Sequence, residues 1–153
     1  VWLGGNQLDS PNLDEFNLVQ DFTGGPHLLN CGVPLVLCPA WCVTSVLTTN
    51  YENACTLRNH NKLCDYLFEI TDEVYHQANC RPDWLRIIWD IGAPAILHCP
   101  ECAELEIVPT PVITDERVYA FDSTRHKMIY LKSIDRDTVY KKTWEALYSL
   151  DGK

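Results

Sequence analysis

Gly32-Val33-Pro34-Leu35-Val36-Leu37-Cys38-Pro39 is the stretch on which the fold turns. A glycine and a proline bound an apolar run with no polar residue on either alternate face. An antiparallel strand with one wet face would alternate, so an uninterrupted run this short predicts a strand buried on both faces, the usual state of a parallel sheet. Toward the N-terminus, Val1-Trp2-Leu3 reads as a second buried strand running into Gly4-Gly5. Toward the C-terminus, Leu63, Leu67, Ile70 and Val74 recur at spacings of four, three and four, with Lys62, Asp65, Glu69 and Asp72 outside that stripe. The spacing predicts an amphipathic helix from Asn61 to Gln77. Val139, Thr143, Leu147 and Leu150 repeat it behind Asp135 and Asp137, acids placed where a helix dipole favours them. Between these helices, Leu105 to Val112, Val118 to Phe121 and His126 to Leu131 predict short strands in a small antiparallel excursion, joined by turns at Thr114-Asp115-Glu116 and Asp122-Ser123-Thr124. The expected fold class is α/β, a mainly parallel sheet with flanking helices and no linker dividing it.

Composition narrows the function. The 153 residues are 46% hydrophobic and 22% charged, which suits one domain with its own core and not a disordered chain. Twelve basic against 21 acidic residues give a net charge of −9, which weighs against nucleic acid and anionic membrane surfaces as partners. No apolar run approaches the roughly 20 residues of a bilayer span, and the first residues lack a signal-peptide pattern. Because Val1 already lies within an expected strand, the sequence reads as a piece of a longer protein. Cysteines stand at 31, 38, 42, 55, 64, 80, 99 and 102, mostly in apolar surroundings where a free thiol acts as a small hydrophobe. Reduced, core-placed cysteines suit the cytoplasm. An alternative is a zinc-stabilised structural protein: Cys99-Pro100-Glu101-Cys102 is the one C-x-x-C, with Cys38, Cys42 and the adjacent His98 as further ligands.

Three segments carry polar residues that propensity alone does not explain. In the first, Leu3-Gly4-Gly5-Asn6 is followed by Asn12-Leu13-Asp14-Glu15-Phe16-Asn17. If this stretch is extended, Glu15 and Asn17 project a carboxylate and an amide from one side, a pair suited to vicinal hydroxyls. If it opens a helix instead, Asp14 or Asn17 caps it. In the second, Trp84-Leu85-Arg86-Ile87-Ile88-Trp89-Asp90-Ile91-Gly92-Ala93-Pro94-Ala95, an apolar run ends in an acid, the way a strand delivers a side chain to the mouth of an α/β sheet. Asp90 is then a partly buried carboxylate and Trp89 a stacking face; the plainer reading is a helix cap beside a core tryptophan. In the third, Arg125-His126 and Arg81 are basic residues in an acidic chain, read as surface or ion-pairing groups. Asp135-Arg136-Asp137 fails as a metal loop because Lys141 stands four residues beyond. No P-loop, dinucleotide fingerprint or nucleophile elbow is present.

Taken in order, Val1-Trp2-Leu3-Gly4-Gly5-Asn6, Glu15-Phe16-Asn17-Leu18 with Gln20-Asp21, Cys31-Gly32-Val33-Pro34-Leu35, Ile88-Trp89-Asp90, Val108-Pro109-Thr110-Pro111 and Ser133-Ile134-Asp135-Arg136-Asp137 resemble the C-terminal half of the nucleoside hydrolases. The resemblance implies a nucleoside hydrolase-like, Rossmann-like fold, with residues 1–153 forming the C-terminal portion of a single domain. It implies an N-ribohydrolase that cleaves a ribonucleoside to ribose and free base with a calcium-bound water, homo-oligomeric as the complete protein. Glu15 and Asn17 match the family's ribose-binding pair, with Asn12 as a further substrate contact, and Asp90 matches a Ca2+ ligand. Leu3 stands where the family often has a methionine against the sugar. Trp89 replaces the histidine that many members use as general acid, as in the purine-preferring branch, so a stacked purine nucleoside is expected. Gly24-Gly25-Pro26 replaces an alanine-rich helix start, so the helix ending near Asn30 is expected to be short or to begin at Pro26. The family's aspartate cluster, which holds the general base and most calcium ligands, has no counterpart here. No catalytic residue is therefore assigned within the chain, and alone it is expected to be inactive and aggregation-prone. A non-catalytic binding or regulatory module that kept the fold is the remaining alternative.

Overall fold

The computed structural model describes residues 1–150. In chain order the elements are β1 (Trp2–Leu3), α1 (Phe16–Gln20), α2 (Gly24–Asn30), β2 (Val36–Cys38), β3 (Thr48–Asn50), α3 (Tyr51–Cys55), α4 (Lys62–Gln77), β4 (Leu85–Ile87), α5 (Gly92–His98), β5 (Ala103–Pro109), β6 (Val112–Ile113), β7 (Tyr119–Ala120), β8 (Lys127–Ile134) and α6 (Arg136–Tyr148). The main sheet runs β1-β2-β8-β5, with β1, β2 and β8 parallel and β5 antiparallel to β8 at the edge. Two antiparallel pairs, β3 with β4 and β6 with β7, stand apart from it.

β2 is central, and its alternate residues feed two cores. Leu37 packs with Leu13, Leu18, Leu29, Met128 and Tyr130 under α1 and α2, whereas Cys38 packs with Val43, Leu47, Ile96, Leu131 and Val139 under α5 and α6. Apolar side chains are therefore needed on both faces, which is why the run does not alternate. The strand is shorter than the run: Val33 is 48% exposed, Pro34 has no N–H to give, and the ladder begins where Ile129 N–H donates to the Leu35 carbonyl at 2.9 Å.

The predicted helices form with defined caps. Asn61 caps α4 by accepting the Cys64 N–H at 2.9 Å, and Asp135 caps α6 by accepting from Asp137 N–H at 3.1 Å and the Thr138 hydroxyl at 2.6 Å. That hydroxyl holds the Asp135 carboxyl below the usual carboxylate range. Leu150 lies past the end of α6. α2 begins at Gly24, two residues before Pro26.

The strands between the helices differ from expectation in one respect. β6 and β7 make the expected small hairpin, but β5 and β8 are half of the main sheet. Thr110-Pro111 breaks the predicted Leu105 to Val112 strand into β5 and β6, since a proline cannot continue the ladder. β8 extends to Ile134, beyond Leu131.

Two loops at the carboxyl ends of β1 and β2 are tied together. Gly4 N–H donates to the Cys38 carbonyl at 3.1 Å and Ala40 N–H to the Gly5 carbonyl at 3.0 Å. Gly5 turns the chain with φ +69°, and a Cβ there would collide with the Tyr119 hydroxyl; Gly32 shares a positive φ of +77° but has open space around it. The comparison separates strain from collision. Gly32→Ala should cost about 1 kcal/mol, the left-handed penalty alone, and Gly5→Ala about 3 kcal/mol or more. Urea unfolding midpoints at constant m-value measure both, and equal losses would show that the Gly5 site relaxes freely.

Candidate functional site

The loops after β1 and β2 open onto a cavity of about 330 Å3 walled by Leu3, Glu15, Phe16, Asn17, Ala40, Trp41, Trp89 and Asp90. This is the position where open α/β sheets place ligands, at the carboxyl ends of parallel strands.

Glu15 is the fixed point of the wall. Its backbone is extended, but the chain turns helical at Phe16, so Asn17 lies in α1 and Glu15 is itself the N-cap of that helix. Its carboxylate is 3% exposed and accepts three backbone N–H bonds: Gly5 at 2.7 Å and Leu18 at 3.0 Å on Oε2, and Asn17 at 3.0 Å on Oε1. A carboxylate has about four acceptor directions, so Oε1 keeps one for a ligand. Asn17 donates Nδ2 to the Leu3 carbonyl at 3.2 Å, which fixes the amide and leaves Oδ1 as a free acceptor. The wall thus offers two acceptors held by backbone contacts, a match for hydroxyl donors. Behind Gly5, burial pushes the Tyr119 phenol up, with Tyr130 and the Glu15 charge adding to it.

Trp89 and Asp90 reach the cavity from elsewhere. The run before them forms β4, which pairs antiparallel with β3 outside the main sheet, and Trp89–Ile91 is a 3-10 turn leading into α5. Asp90 is therefore exposed and not partly buried, while Trp89 and Ile91 on either side of it in the turn are half-buried. Trp89 meets Trp41 edge to face, with ring centroids 5.3 Å apart and planes at 74°. Trp41, 52% exposed, went unnoticed in the sequence. Its position directly after β2 was the available signal. The next residue, Cys42, takes φ 67°, a left-handed turn that ends the loop.

Asn12 lies outside the cavity wall. Its side chain accepts the Asp14 N–H at 3.3 Å and its carbonyl accepts from Asn6 Nδ2 and Ser10 Oγ, so it braces the loop that leads to Glu15. Arg81 pairs with Asp83 on the surface at 2.7 Å, as expected, whereas Arg125 is half-buried and donates to the Thr110 and Leu29 carbonyls and to Asn30 Oδ1, a brace between loops and not an ion pair.

The metal readings fare differently. Among the described residues no three His, Cys, Asp or Glu side chains converge to hold an ion. The zinc alternative therefore finds no ligand set among the described residues: Cys38, Cys99 and Cys102 are buried and free, while Cys42 is free and exposed on the loop after β2. Nor do the described residues build a calcium site by themselves. Calcium takes six to eight oxygens, whereas Glu15 is committed to backbone donors and Asp90 is one carboxylate.

Among the described residues no helix is long and apolar enough to cross a membrane. No family model matches the sequence, and no curated protein matches it. Solved structures do match in shape. A plant nucleoside hydrolase superposes with a TM-score of 0.74 at 13% identity, over 97% of this chain and 52% of its own. An inosine-uridine preferring nucleoside hydrolase from Bacillus anthracis superposes with a TM-score of 0.67 at 12% identity, over 97% of this chain and 51% of its own. The chain thus spans about half the length of these structures, and over that span it has the nucleoside hydrolase fold.

Proposed function

We propose that this chain is the C-terminal portion of a nucleoside hydrolase-like domain and supplies the sugar- and base-contacting wall of an N-ribohydrolase site. The observation that carries the reading is the meeting of Glu15, Asn17, Trp89 and Asp90, drawn from two distant segments, around one cavity. Oε1 of Glu15 and Oδ1 of Asn17 accept hydrogen bonds from the ribose hydroxyls. Because backbone donors hold Glu15 and a backbone carbonyl holds Asn17, little ordering entropy remains to be lost when the sugar binds.

Trp89 takes the face of the base. An indole has no proton of useful acidity for a leaving nitrogen, so its contribution is stacking, which favours the larger surface of a purine. Asp90 contributes one carboxylate to a Ca2+ ion whose other ligands, with the general base, come from residues outside this chain. The described residues bind and orient a nucleoside in this reading, and they move no proton.

Two measurements test it. Inosine titrated into this chain should quench tryptophan fluorescence saturably, and Asn17→Ala and Trp89→Ala should each weaken binding about tenfold, a loss of about 1.4 kcal/mol. Uridine should bind more weakly than inosine to the native chain, with the gap closing in Trp89→Ala. Absence of saturable binding would end the proposal. In a complete protein containing this chain, Asp90→Ala should abolish calcium-dependent release of ribose while leaving the thermal midpoint within a few degrees, because the side chain is exposed. Unchanged calcium dependence would remove Asp90 from the site.

A further inference from the structure

At the far end of α5 from Trp89 and Asp90, the chain turns through Cys99-Pro100-Glu101-Cys102. Pro100–Cys102 is a 3-10 turn, with Cys99 preceding it and a proline at its first position. Cys102 N–H donates to the Cys99 carbonyl at 2.9 Å. Cys99 stands just before the turn with a non-helical backbone, and the two thiols lie within hydrogen-bonding reach of each other. A turn closed by this bond brings the two Cα atoms within about 7 Å, inside the span a disulfide bridges. Backbone bonds fix both ends: Cys99 N–H donates to the Ala95 carbonyl at 2.7 Å and Asp135 N–H to the Cys102 carbonyl at 2.7 Å.

The surroundings differ from those of a merely buried pair. Cys99 is part of the wall of a separate cavity of about 270 Å3 between α5 and α6, and His98 and Lys142 line the same cavity. Glu101 is held below the usual carboxylate range, first by its own backbone N–H and next by the Cys99 thiol, with Lys142 and His98 adding to the effect. Two thiols, the Glu101 carboxylate and the basic side chains of His98 and Lys142 therefore lie around one end of a cavity whose remaining wall is mostly apolar, with Ile91, Val139 and Leu147.

We infer that Cys99 and Cys102 form a thiol–disulfide exchange site that takes a low-molecular-weight, anionic disulfide of the glutathione class at the α5–α6 cavity. Cys99 sulfur attacks one sulfur of the small disulfide and the S–S bond of the reagent breaks; the Cys99 proton is handed on through Glu101 to the departing sulfur, which leaves as a free thiol. Cys102 sulfur then displaces the second small thiol from Cys99, its own proton leaving with that thiol. The balance is two protein thiols oxidised to one disulfide and one small disulfide reduced to two thiols. Cys99 lines the cavity and Cys102 does not, which gives the opening attack to Cys99; burial also pushes the Cys102 thiol up to about 12, with Cys99 adding to it. His98 and Lys142 draw the carboxylates of the reagent to an otherwise acidic chain.

The test uses this chain, reduced and then equilibrated with graded ratios of reduced to oxidised glutathione, acid-quenched, labelled with N-ethylmaleimide and digested with trypsin. Peptide 87–117 holds Cys99 and Cys102 and no other cysteine. It should lose both labels together and become two hydrogens lighter, while Cys38 and Cys64, read residue by residue from the fragment ions of peptides 1–58 and 63–86, stay labelled. The midpoint should lie at a glutathione ratio about tenfold more reducing than for the same chain in urea. Cys102→Ser should trap glutathione on Cys99, and Cys99→Ser should leave Cys102 unmodified. Full labelling of peptide 87–117 at ratios that already glutathionylate the exposed Cys31 and Cys80 would overturn the site. So would a midpoint equal to that in urea, or preferred pairing of either cysteine with another. The wild-type readings decide the matter even if a variant fails to fold.

Discussion

A single buried carboxylate organises the substrate end of this molecule. Glu15 caps a helix of five residues, Phe16–Gln20, that is too short to be stable by propensity. Through Gly5 it also pins the loop after β1. A carboxylate at 3% exposure would be costly without partners, and three backbone N–H bonds supply them. Removing the charge would leave those donors facing a poorer acceptor in a closed site. Folding and ligand contact thus draw on the same atoms, with Oε2 serving the fold and Oε1 divided between the fold and the cavity.

The sheet explains why that carboxylate has a place to stand. β2 lies between two parallel neighbours, and its side chains divide between two cores, so its position is set from both faces. A slip by one residue would exchange Leu37 with its neighbours and put each into the wrong core. The loop after β2 inherits this precision. Ala40 is bound to Gly5, Thr44 Oγ1 donates to the carbonyls of Pro39 and Ala40, and Trp41 is presented between these anchors.

The architecture was legible where burial imposes a period. The unbroken Val33 to Cys38 run and the acids at the start of α6 each have a direct physical cause in the fold; α4 forms where its stripe predicts, but Leu63 and Ile70 of that stripe stand exposed and Cys64 is the residue the helix buries. Partnership was not legible. The strand from His126 has local chemistry that suits a hairpin equally well, and only its pairing with β2 places it in the main sheet. For the site, Glu15, Asn17, Trp89 and Asp90 were visible as polar or aromatic residues in odd places. Their local conformations were misread, because a glutamate as N-cap is uncommon and because β4 leaves the main sheet to pair with β3. Trp41 was missed for a related reason: an aromatic near an apolar run reads as core until the strand end is known.

The two ends of the cavity are held to different degrees, and that difference follows from their backbone. Glu15 and Asn17 are locked by hydrogen bonds to the main chain, as suits groups that must keep a sugar ring in one orientation. Asp90 stands on a 3-10 turn, exposed, beside a tryptophan whose contact with Trp41 is edge to face. Edge-to-face packing leaves the broad faces of both indoles unpaired with each other, so a flat ring can enter without first separating a stacked pair. The rigid side of the cavity therefore suits recognition of hydroxyls. The open side suits entry of the base and access to a carboxylate that an ion or another part of a larger protein can still reach.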